Sequence, residues 1–343
     1  MRILITGASG FLGGHLVDAF VKDLHQVKVL IRKTSDITHL STYGKNIDYV
    51  YGDIEDPISC HSATQDIDIV IHSAARAMDY GNYKTFEKTN IEATKNLLTA
   101  AKKNRVQKFL FISSPSVVAE FKDQININEQ YPYPRKAMNY YCDSKAKAER
   151  YVLSQNGYGI YTTSIRPRGI WGPRDKTGFL PKLMKRIATG KLKNLSGGRP
   201  VLTDLCHVYN VSHACLLASK SDKVGGNIYF ITDDSTIEVW TFLNHLAILL
   251  ELPEINKTIP SKIPILAASV FEILWKTPYL KHHKSMPLSK YSLGLLTRQS
   301  TYNISKAKKD FAYQPIINER QGIQNLLSWI NQIGGVSAFT KHV

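Results

Sequence analysis

The chain has 343 residues, of which 43% are hydrophobic and 21% charged, a balance typical of a soluble globular protein with one large domain or two interlocked ones. Its net charge of +16 raises the question of a nucleic-acid partner. The lysines are scattered and no nucleic-acid-binding motif is present. We therefore expect no nucleic-acid partner, and interpret the charge as an attraction for phosphorylated cofactors or acidic substrates.

Cysteine spacing and apolar segments indicate the cellular compartment of the protein. The chain begins with an apolar strand rather than a signal peptide, and its longest apolar run, residues 263–275, is too short to cross a bilayer. The cysteines lack the paired spacing of zinc sites or disulfide frameworks, so we expect a cytoplasmic protein without a bound metal. They are Cys60, Cys142, Cys206 and Cys215.

A glycine-rich turn follows the first strand. Residues 2–5 form a short, largely apolar strand, and the sequence TGASGFLG leads from it into a helix with apolar residues at helical spacing. Gly7 allows a tight turn, Gly10 lets the backbone approach a pyrophosphate, and Gly13 lets the helix pack on the sheet. The alternative is an ordinary strand–turn–helix connection. The complete unit favours dinucleotide binding.

Strands and helices alternate through the first half of the chain. This alternation predicts βαβ units, and so an α/β fold of the Rossmann type: a doubly wound parallel sheet with a smaller, interleaved C-terminal domain. We assign residues 1–172 and a strand near 227–232 to the dinucleotide-binding domain, and residues 173–226 and 233–343 to the substrate domain. The predicted strands are 27–31, 47–51, 67–71, 109–112 and 161–165; the later helices are 179–189, 208–220 and 237–250, the last with a capping box of Ser235 and Glu238.

Residues after the second, third and fourth strands are candidates for cofactor contacts. Arg32 stands where a carboxylate would select NAD, so it favours the 2′-phosphate of NADP, with NAD as the other cofactor and a solvated charge pair as the alternative. Asp53 can accept a hydrogen bond from the adenine amino group, or can simply belong to a turn. Ala74 and Ala75 are small enough for the chain to pass close to a dinucleotide. His72 is expected to be a structural hydrogen-bonding residue.

Tyr141 and Lys145 are the candidate catalytic pair. Four residues apart on a helix, they share a face, so we expect the ammonium group to lower the pKa of the phenol and let it act as acid or base. The same spacing occurs elsewhere, at Tyr80/Lys84 and Tyr302/Lys306. Only Tyr141 opens a helix after a strand that ends in serines, at positions 113, 114 and 116.

The motifs TGASGFLG, GDI, HSAA, ISSPSVV, YCDSK and SIRPRGIWGP, taken together, resemble an extended short-chain dehydrogenase/reductase. ISSPSVV and RPRGIWGPRD are similar to the 3β-hydroxysteroid dehydrogenase/isomerase branch, which includes the bacterial 2-alkyl-3-oxoalkanoate reductases. The resemblance implies that Ser114 is the catalytic serine, supported by Ser113 and Ser116. It implies cofactor contacts from Gly7, Ser9, Gly10, Phe11, Leu12, Gly13, Arg32, Asp53, Ile54, Ala74, Ala75, Asn90, Tyr141, Lys145 and Pro167.

Two departures count against a nucleotide-sugar epimerase. Such enzymes usually carry Tyr-Gly where this chain has Val118 and Ala119, and an aspartate where the second strand here ends in Ile31 and Arg32. The resemblance implies an NAD(P)-dependent oxidoreductase that interconverts 3-oxo and 3-hydroxy groups on a hydrophobic substrate, either fatty-acyl or sterol-like. The alternatives are an epimerase or dehydratase with tightly bound NAD, and a non-catalytic dinucleotide sensor.

The stretch 263–284 joins a nearly all-apolar helix to basic residues that include Lys281 and Lys284. Such a helix must be buried, either as a roof over the substrate pocket or at an anionic membrane surface, which would place the protein at the inner face of a membrane. Pocket residues have no motif, and Phe179, Tyr209 and Trp240 are expected there from position alone. By resemblance, a homodimer forms through helices at 85–103 and 139–154.

Overall fold

The computed structural model describes residues 1–275, 277, 280 and 286–343. The strands within these ranges are β1 (Arg2–Thr6), β2 (Gln26–Ile31), β3 (Ile47–Tyr51), β4 (Ile69–His72), β5 (Lys108–Ile112), β6 (Gln124–Ile127), β7 (Tyr161–Pro167), β8 (Ile170–Trp171), β9 (Leu202–Asp204), β10 (Cys206–His207), β11 (Ile228–Ile231), β12 (Thr236–Glu238) and β13 (Ser300–Tyr302).

The α-helices are α1 (Phe11–Lys22), α2 (Pro57–Thr64), α3 (Tyr83–Phe86), α4 (Ala93–Lys103), α5 (Tyr140–Ser154), α6 (Phe179–Ala188), α7 (Val208–Lys220), α8 (Val239–Leu249), α9 (Lys262–Leu274), α10 (Lys290–Thr297), α11 (Ser305–Phe311), α12 (Glu319–Gln332) and α13 (Val336–Phe339). A π-helical turn, Glu87–Glu92, joins α3 to α4, so the predicted helix 85–103 is not regular throughout.

Seven parallel strands form the central sheet in the order β11-β7-β5-β4-β1-β2-β3. The chain runs outward in one direction from β1 and in the other from β4, so the strand order reverses between these two neighbours. In open α/β sheets, ligands bind beyond the carboxyl ends of the strands at such a switch point. The predicted Rossmann-type sheet is confirmed.

Alternating side chains of the strands fill two hydrophobic layers. Ile3 and Ile5 pack on one face of the sheet with residues of α1 and α7, whereas Leu4 packs on the other face with residues of α2, α4 and α5. This alternation is the period of two that a strand buried on both faces requires. A third core, around Trp171, Trp240 and Leu326, lies under α6, α8 and α12.

A second sheet of four strands, in the order β12-β9-β13-β6, lies outside the central sheet. Its strand β6 comes from the part of the chain that we assigned to the dinucleotide-binding domain. The four-residue sequence of β6, QINI, is too short to give a strand signal, and the strand is held by pairing with β13, more than 170 residues later. The proposed domain boundaries remain a prediction.

Two helix predictions need correction. Helix α8 begins at Val239 rather than 237, because Thr236–Glu238 pairs with β9. The predicted capping box with Ser235 is wrong. The N-cap is instead Glu238, whose carboxylate accepts the Thr241 N–H at 2.7 Å. Helix α9 is not buried all round. Its buried residues are Pro264 and Ala268, and its outer side is exposed.

Candidate active site

The glycine-rich turn lies at the carboxyl end of β1. Gly7 has a φ of +71°, and a Cβ there would lie 2.8 Å from the Ala74 nitrogen. A Cβ on Gly13 would lie 1.9 Å from the Gly7 carbonyl oxygen, so this position accepts only glycine. Gly10 caps α1 without a side-chain hydrogen bond, which leaves the first N–H groups of the helix for an anionic ligand. The turn therefore fits a dinucleotide pyrophosphate.

The residues next to this turn in sequence are accessible. Ser9 is exposed, and Phe11 and Leu12 are half-buried at the start of α1. Arg32 is exposed at the end of β2, and its side chain makes no hydrogen bond within the described residues. Asp53 accepts the Glu55 N–H at 3.0 Å, and Ile54 packs against the sheet's second core. A basic group is thus available beside the switch point, as NADP would require.

On the β4 side, polar side chains hold the backbone in place. His72 lies between the hydroxyls of Thr6, at 2.7 Å, and Thr94, at 2.9 Å, and burial lowers its pKa to about 3. His72 is therefore a neutral structural residue. The Ala74 N–H donates to the Thr6 hydroxyl, and Ala75 is exposed beside it.

Asn90 is buried and fully occupied by protein groups. Its side-chain oxygen accepts the Arg76 N–H at 2.8 Å. Its side-chain NH₂ group donates to the Arg76 carbonyl at 3.2 Å and to the Ser144 hydroxyl at 2.9 Å. It therefore links the chain after β4 to α5, and a direct contact with a cofactor remains a prediction. Pro167 ends β7 and is buried in register with Ile231.

The serine cluster follows β5 and faces the start of α5. The Ser114 hydroxyl accepts the Ser116 N–H at 3.1 Å and thereby caps the 3₁₀ turn Pro115–Val118. The hydroxyls of Ser113 and Ser116 are buried, and neither has a hydrogen-bond partner within the described ranges. Such unpaired buried hydroxyls are costly unless they serve a ligand. The hydroxyls of Ser114 and Ser116 both lie beside the Tyr141 phenol.

Burial raises the pKa of Tyr141 above its ordinary value of 10, and the neighbouring hydroxyls of Ser114 and Ser116 only partly oppose the rise. The expectation that Lys145 lowers this pKa is wrong. The Lys145 ammonium instead donates to the Ile112 carbonyl at 2.6 Å and lies 3.9 Å from the centre of the Phe111 ring. Burial lowers its own pKa to about 7, so its charge acts weakly on the phenol.

A buried ion pair lies one helical turn beyond Lys145, and sequence analysis missed it. Glu149 accepts two hydrogen bonds from Arg166, at 2.6 and 2.9 Å, and others from the hydroxyls of Ser164 and Tyr133. These bonds hold the pKa of Glu149 below its ordinary value despite burial. Its negative charge raises the pKa of Lys145, against the larger effect of burial. The i, i+4 spacing of Lys145 and Glu149 was the available signal.

A cavity opens beside the serine cluster, between the second sheet and α10. Tyr291 on α10 is near enough to interact electrostatically with Tyr141 and Arg168. The cavity is lined by Pro115, Ser116, Ala119, Glu120, Lys122, Gln124, Met138, Arg168, Tyr291, Gly294, Leu295, Arg298, Gln299, Ser300 and Tyr302. Ser116 thus joins the candidate catalytic group to this cavity.

The pocket residues expected from position alone lie elsewhere. Phe179 and Trp240 belong to the third core, where the Trp240 indole donates to the Leu296 carbonyl at 3.2 Å. Tyr209 packs edge-on against His15 and His207. Aromatic residues at core spacing were mistaken for pocket residues, because local sequence does not show which side of a core they face.

Helix α9 contacts α10 beside this cavity, and the Glu272 carboxylate accepts the Lys290 N–H at 2.8 Å. The helix exposes a row of apolar side chains, whose exposed fractions are 58% for Ile263, 67% for Leu266, 44% for Val270 and 65% for Ile273. Lys281 and Lys284 lie outside the described residues. No helix within the described ranges is long and apolar enough to span a bilayer.

Comparison with known proteins identifies relatives along nearly the whole chain. The 3-beta hydroxysteroid dehydrogenase/isomerase family matches residues 4–260. A 4-hydroxy-2-methyl-3-oxo-4-farnesyl-3,4-dihydroquinoline-1-oxide ketoreductase of Stigmatella aurantiaca is 32% identical over 95% of this chain and 96% of its own length. A 2-alkyl-3-oxoalkanoate reductase of Shewanella oneidensis is 28% identical over 94% of this chain and 84% of its own length. A 3-beta-hydroxysteroid dehydrogenase of Mycolicibacterium neoaurum is 30% identical over 97% of this chain and 92% of its own length.

Solved structures share the fold. The crystal structure of gox2253 superimposes with a TM-score of 0.80 at 23% identity, covering 97% of this chain and 98% of that one. A UDP-glucuronic acid 4-epimerase from Bacillus cereus, solved in complex with NAD, has a TM-score of 0.75 at 20% identity and covers 97% and 99% of the two chains. At these identities the likeness concerns the fold alone.

Proposed function

The chain belongs to the 3-beta hydroxysteroid dehydrogenase/isomerase family, and from that membership we propose that it is an NADP-preferring oxidoreductase that interconverts a 3-oxo and a 3-hydroxy group on a hydrophobic substrate. One observation carries the proposal: Tyr141 meets the serine hydroxyls at the edge of the sheet that also bears the glycine-rich turn. A proton donor and a dinucleotide site on one edge are what hydride transfer to a carbonyl needs.

The cofactor's nicotinamide supplies or accepts the hydride, and the protein supplies its position. The N–H groups at the start of α1 hold the pyrophosphate, and the Arg32 guanidinium meets the 2′-phosphate of NADP. Asp53 accepts a hydrogen bond from the adenine. Lys145, in the second turn of α5, would hold the ribose hydroxyls through its amino group.

The proton comes from Tyr141. Because burial raises its pKa, the phenol keeps its proton at neutral pH and can donate it to a substrate oxygen that gains negative charge. The hydroxyls of Ser114 and Ser116 orient that oxygen.

NADPH oxidation by the purified protein tests the proposal. We expect NADPH to be consumed with hydrophobic 3-oxo acids or 3-oxosteroids, and no consumption with nucleotide sugars. Conversion of a nucleotide sugar with retained NAD and no net NADPH use would instead identify an epimerase. Dinucleotide binding without turnover of any of these compounds would identify a sensor.

We also propose that the protein rests on an anionic membrane surface through α9. The exposed apolar residues of α9 recur at helical spacing, opposite the buried Pro264 and Ala268, so the helix has one inward and one outward face. The net charge of +16 complements anionic headgroups. Because α9 contacts the helix that borders the cavity, an apolar substrate would reach the site from the lipid.

A further inference from the structure

Two arginines in the cavity beside the serine cluster have unused hydrogen-bonding capacity. Arg168 directly follows β7 and Arg298 directly follows α10, and both line the same cavity as Ser116. The Nε atoms of both are buried and have no hydrogen-bond partner within the described part of the chain. A guanidinium group is always charged, so a buried N–H of this kind needs an acceptor.

Arg168 is only 9% exposed. One of its Nη atoms donates to the Thr203 hydroxyl at 3.0 Å, and its guanidinium lies 5.9 Å from the centre of the Tyr302 ring. Asp204 is the nearby acid, but its carboxylate accepts the Thr236 hydroxyl and the Tyr302 N–H, each at 2.7 Å. Arg168 therefore has a neighbouring negative charge but no carboxylate bonded to it.

Arg298 is half-buried and lies over Phe121, with 4.6 Å between the guanidinium carbon and the ring centre. The neighbouring acid Asp123 is already held by both Nη atoms of Arg199, at 2.7 and 2.8 Å. At the rim of the cavity, Lys122 and Glu120 pair at 2.8 Å and neutralise each other. The cavity is thus left with two arginines that no carboxylate of the described residues engages by hydrogen bonds.

We propose that Arg168 and Arg298 form a carboxylate subsite, so that the substrate is a hydrophobic acid whose carboxylate lies close to the reacting oxygen. Planar guanidinium groups match carboxylate geometry, and Ser116 belongs to both this cavity and the catalytic group. The remaining wall, with Ala119, Met138 and Leu295, suits an alkyl chain. This inference rests on the proposed function and narrows its substrate class to 3-oxo or 3-hydroxy acids.

Oxidation of 3-hydroxydodecanoate and of its methyl ester with NADP⁺ tests the subsite, because the two differ mainly in the charge that the arginines would bind. We expect the KM of the wild type for the acid to be about tenfold lower than for the ester. In Arg298→Gln the KM for the acid should rise about tenfold while the KM for the ester stays unchanged. Arg168→Lys should retain part of the preference because it keeps the charge.

The control is Arg320→Gln, which removes the same charge from an exposed position on α12. Equal KM values for acid and ester in the wild type, or an equal loss for both in Arg298→Gln, would overturn the subsite. If neither compound is oxidised, calorimetric titration with decanoate separates the two proposals. If decanoate binds the wild type and Arg298→Gln abolishes the binding, the subsite is supported and the proposed oxidoreductase activity is wrong. If decanoate does not bind the wild type, the subsite itself is overturned.

Discussion

At the scale of single residues, Tyr141 is the group whose chemistry the proposal most depends on. Tyr141→Phe removes the phenolic proton but keeps the ring, so turnover should fall about a hundredfold to ten-thousandfold while NADPH still binds. Steady-state kinetics and NADPH fluorescence titration measure the two effects. The control is Tyr140→Phe, since Tyr140 is 45% exposed and packs on Tyr83. Unchanged turnover in Tyr141→Phe would exclude Tyr141 as the proton donor.

Arg32 determines the choice of cofactor if its guanidinium meets the 2′-phosphate. Arg32→Ala should then weaken NADPH binding about tenfold to a hundredfold, because a charge-assisted contact is worth roughly 1.5–3 kcal/mol, and should barely affect NADH. The neighbouring Lys33→Ala removes the same charge and serves as the control. Equal losses for both cofactors would show that Arg32 has only a structural role.

Lys145 makes stability depend on pH. Burial lowers its pKa from 10.5 to about 7, so between these values the unfolded chain binds a proton that the folded protein does not. Stability should therefore rise with pH across this window and be lost again as pH falls through about 7. In urea unfolding, the stability of the wild type relative to Lys145→Met should rise by up to about 5 kcal/mol across the window. If the difference in unfolding free energy between the two proteins does not change with pH, the pKa of Lys145 is not lowered by burial.

At the scale of elements, the packing of α1 against the glycine-rich turn requires glycine at position 13, whereas position 14 tolerates alanine. Gly13→Ala would drive a Cβ to 1.9 Å from the Gly7 carbonyl oxygen, so the turn must distort and dinucleotide binding should be lost. Gly14→Ala meets nothing closer than the His39 side chain at 3.4 Å and should gain up to about 1 kcal/mol of helix stability. Dinucleotide titration and thermal unfolding of both variants check this. Dinucleotide binding retained in Gly13→Ala would show that the turn can relax.

At the scale of the whole molecule, α9 should decide membrane association. Vesicles with anionic lipid should sediment the wild type at low salt and release it at high salt, because apolar burial and charge act together. Leu266→Gln with Ile273→Gln removes part of the exposed face and should abolish sedimentation. Ile58→Gln, at an even more exposed position on α2, should leave sedimentation unchanged. A wild type that stays in the supernatant with anionic vesicles would leave α9 without this role.

Local patterns in the sequence determined the central sheet, the glycine-rich turn and the positions of Tyr141 and Lys145. Each rests on a short-range rule: a period of two in buried strands, three glycines in one turn, four residues between side chains on one helix face. Family resemblance added Ser114 and the reaction class. These features need no knowledge of distant contacts.

The tertiary structure alone decided the environments of those residues. Lys145 meets the Ile112 carbonyl rather than the Tyr141 phenol, and its lowered pKa follows from burial, which spacing cannot report. Strand β6 exists because β13 pairs with it, and Arg168 and Arg298 share one cavity although 130 positions separate them. Long-range pairing and burial depend on the summed packing of the whole chain, so no local pattern encodes them.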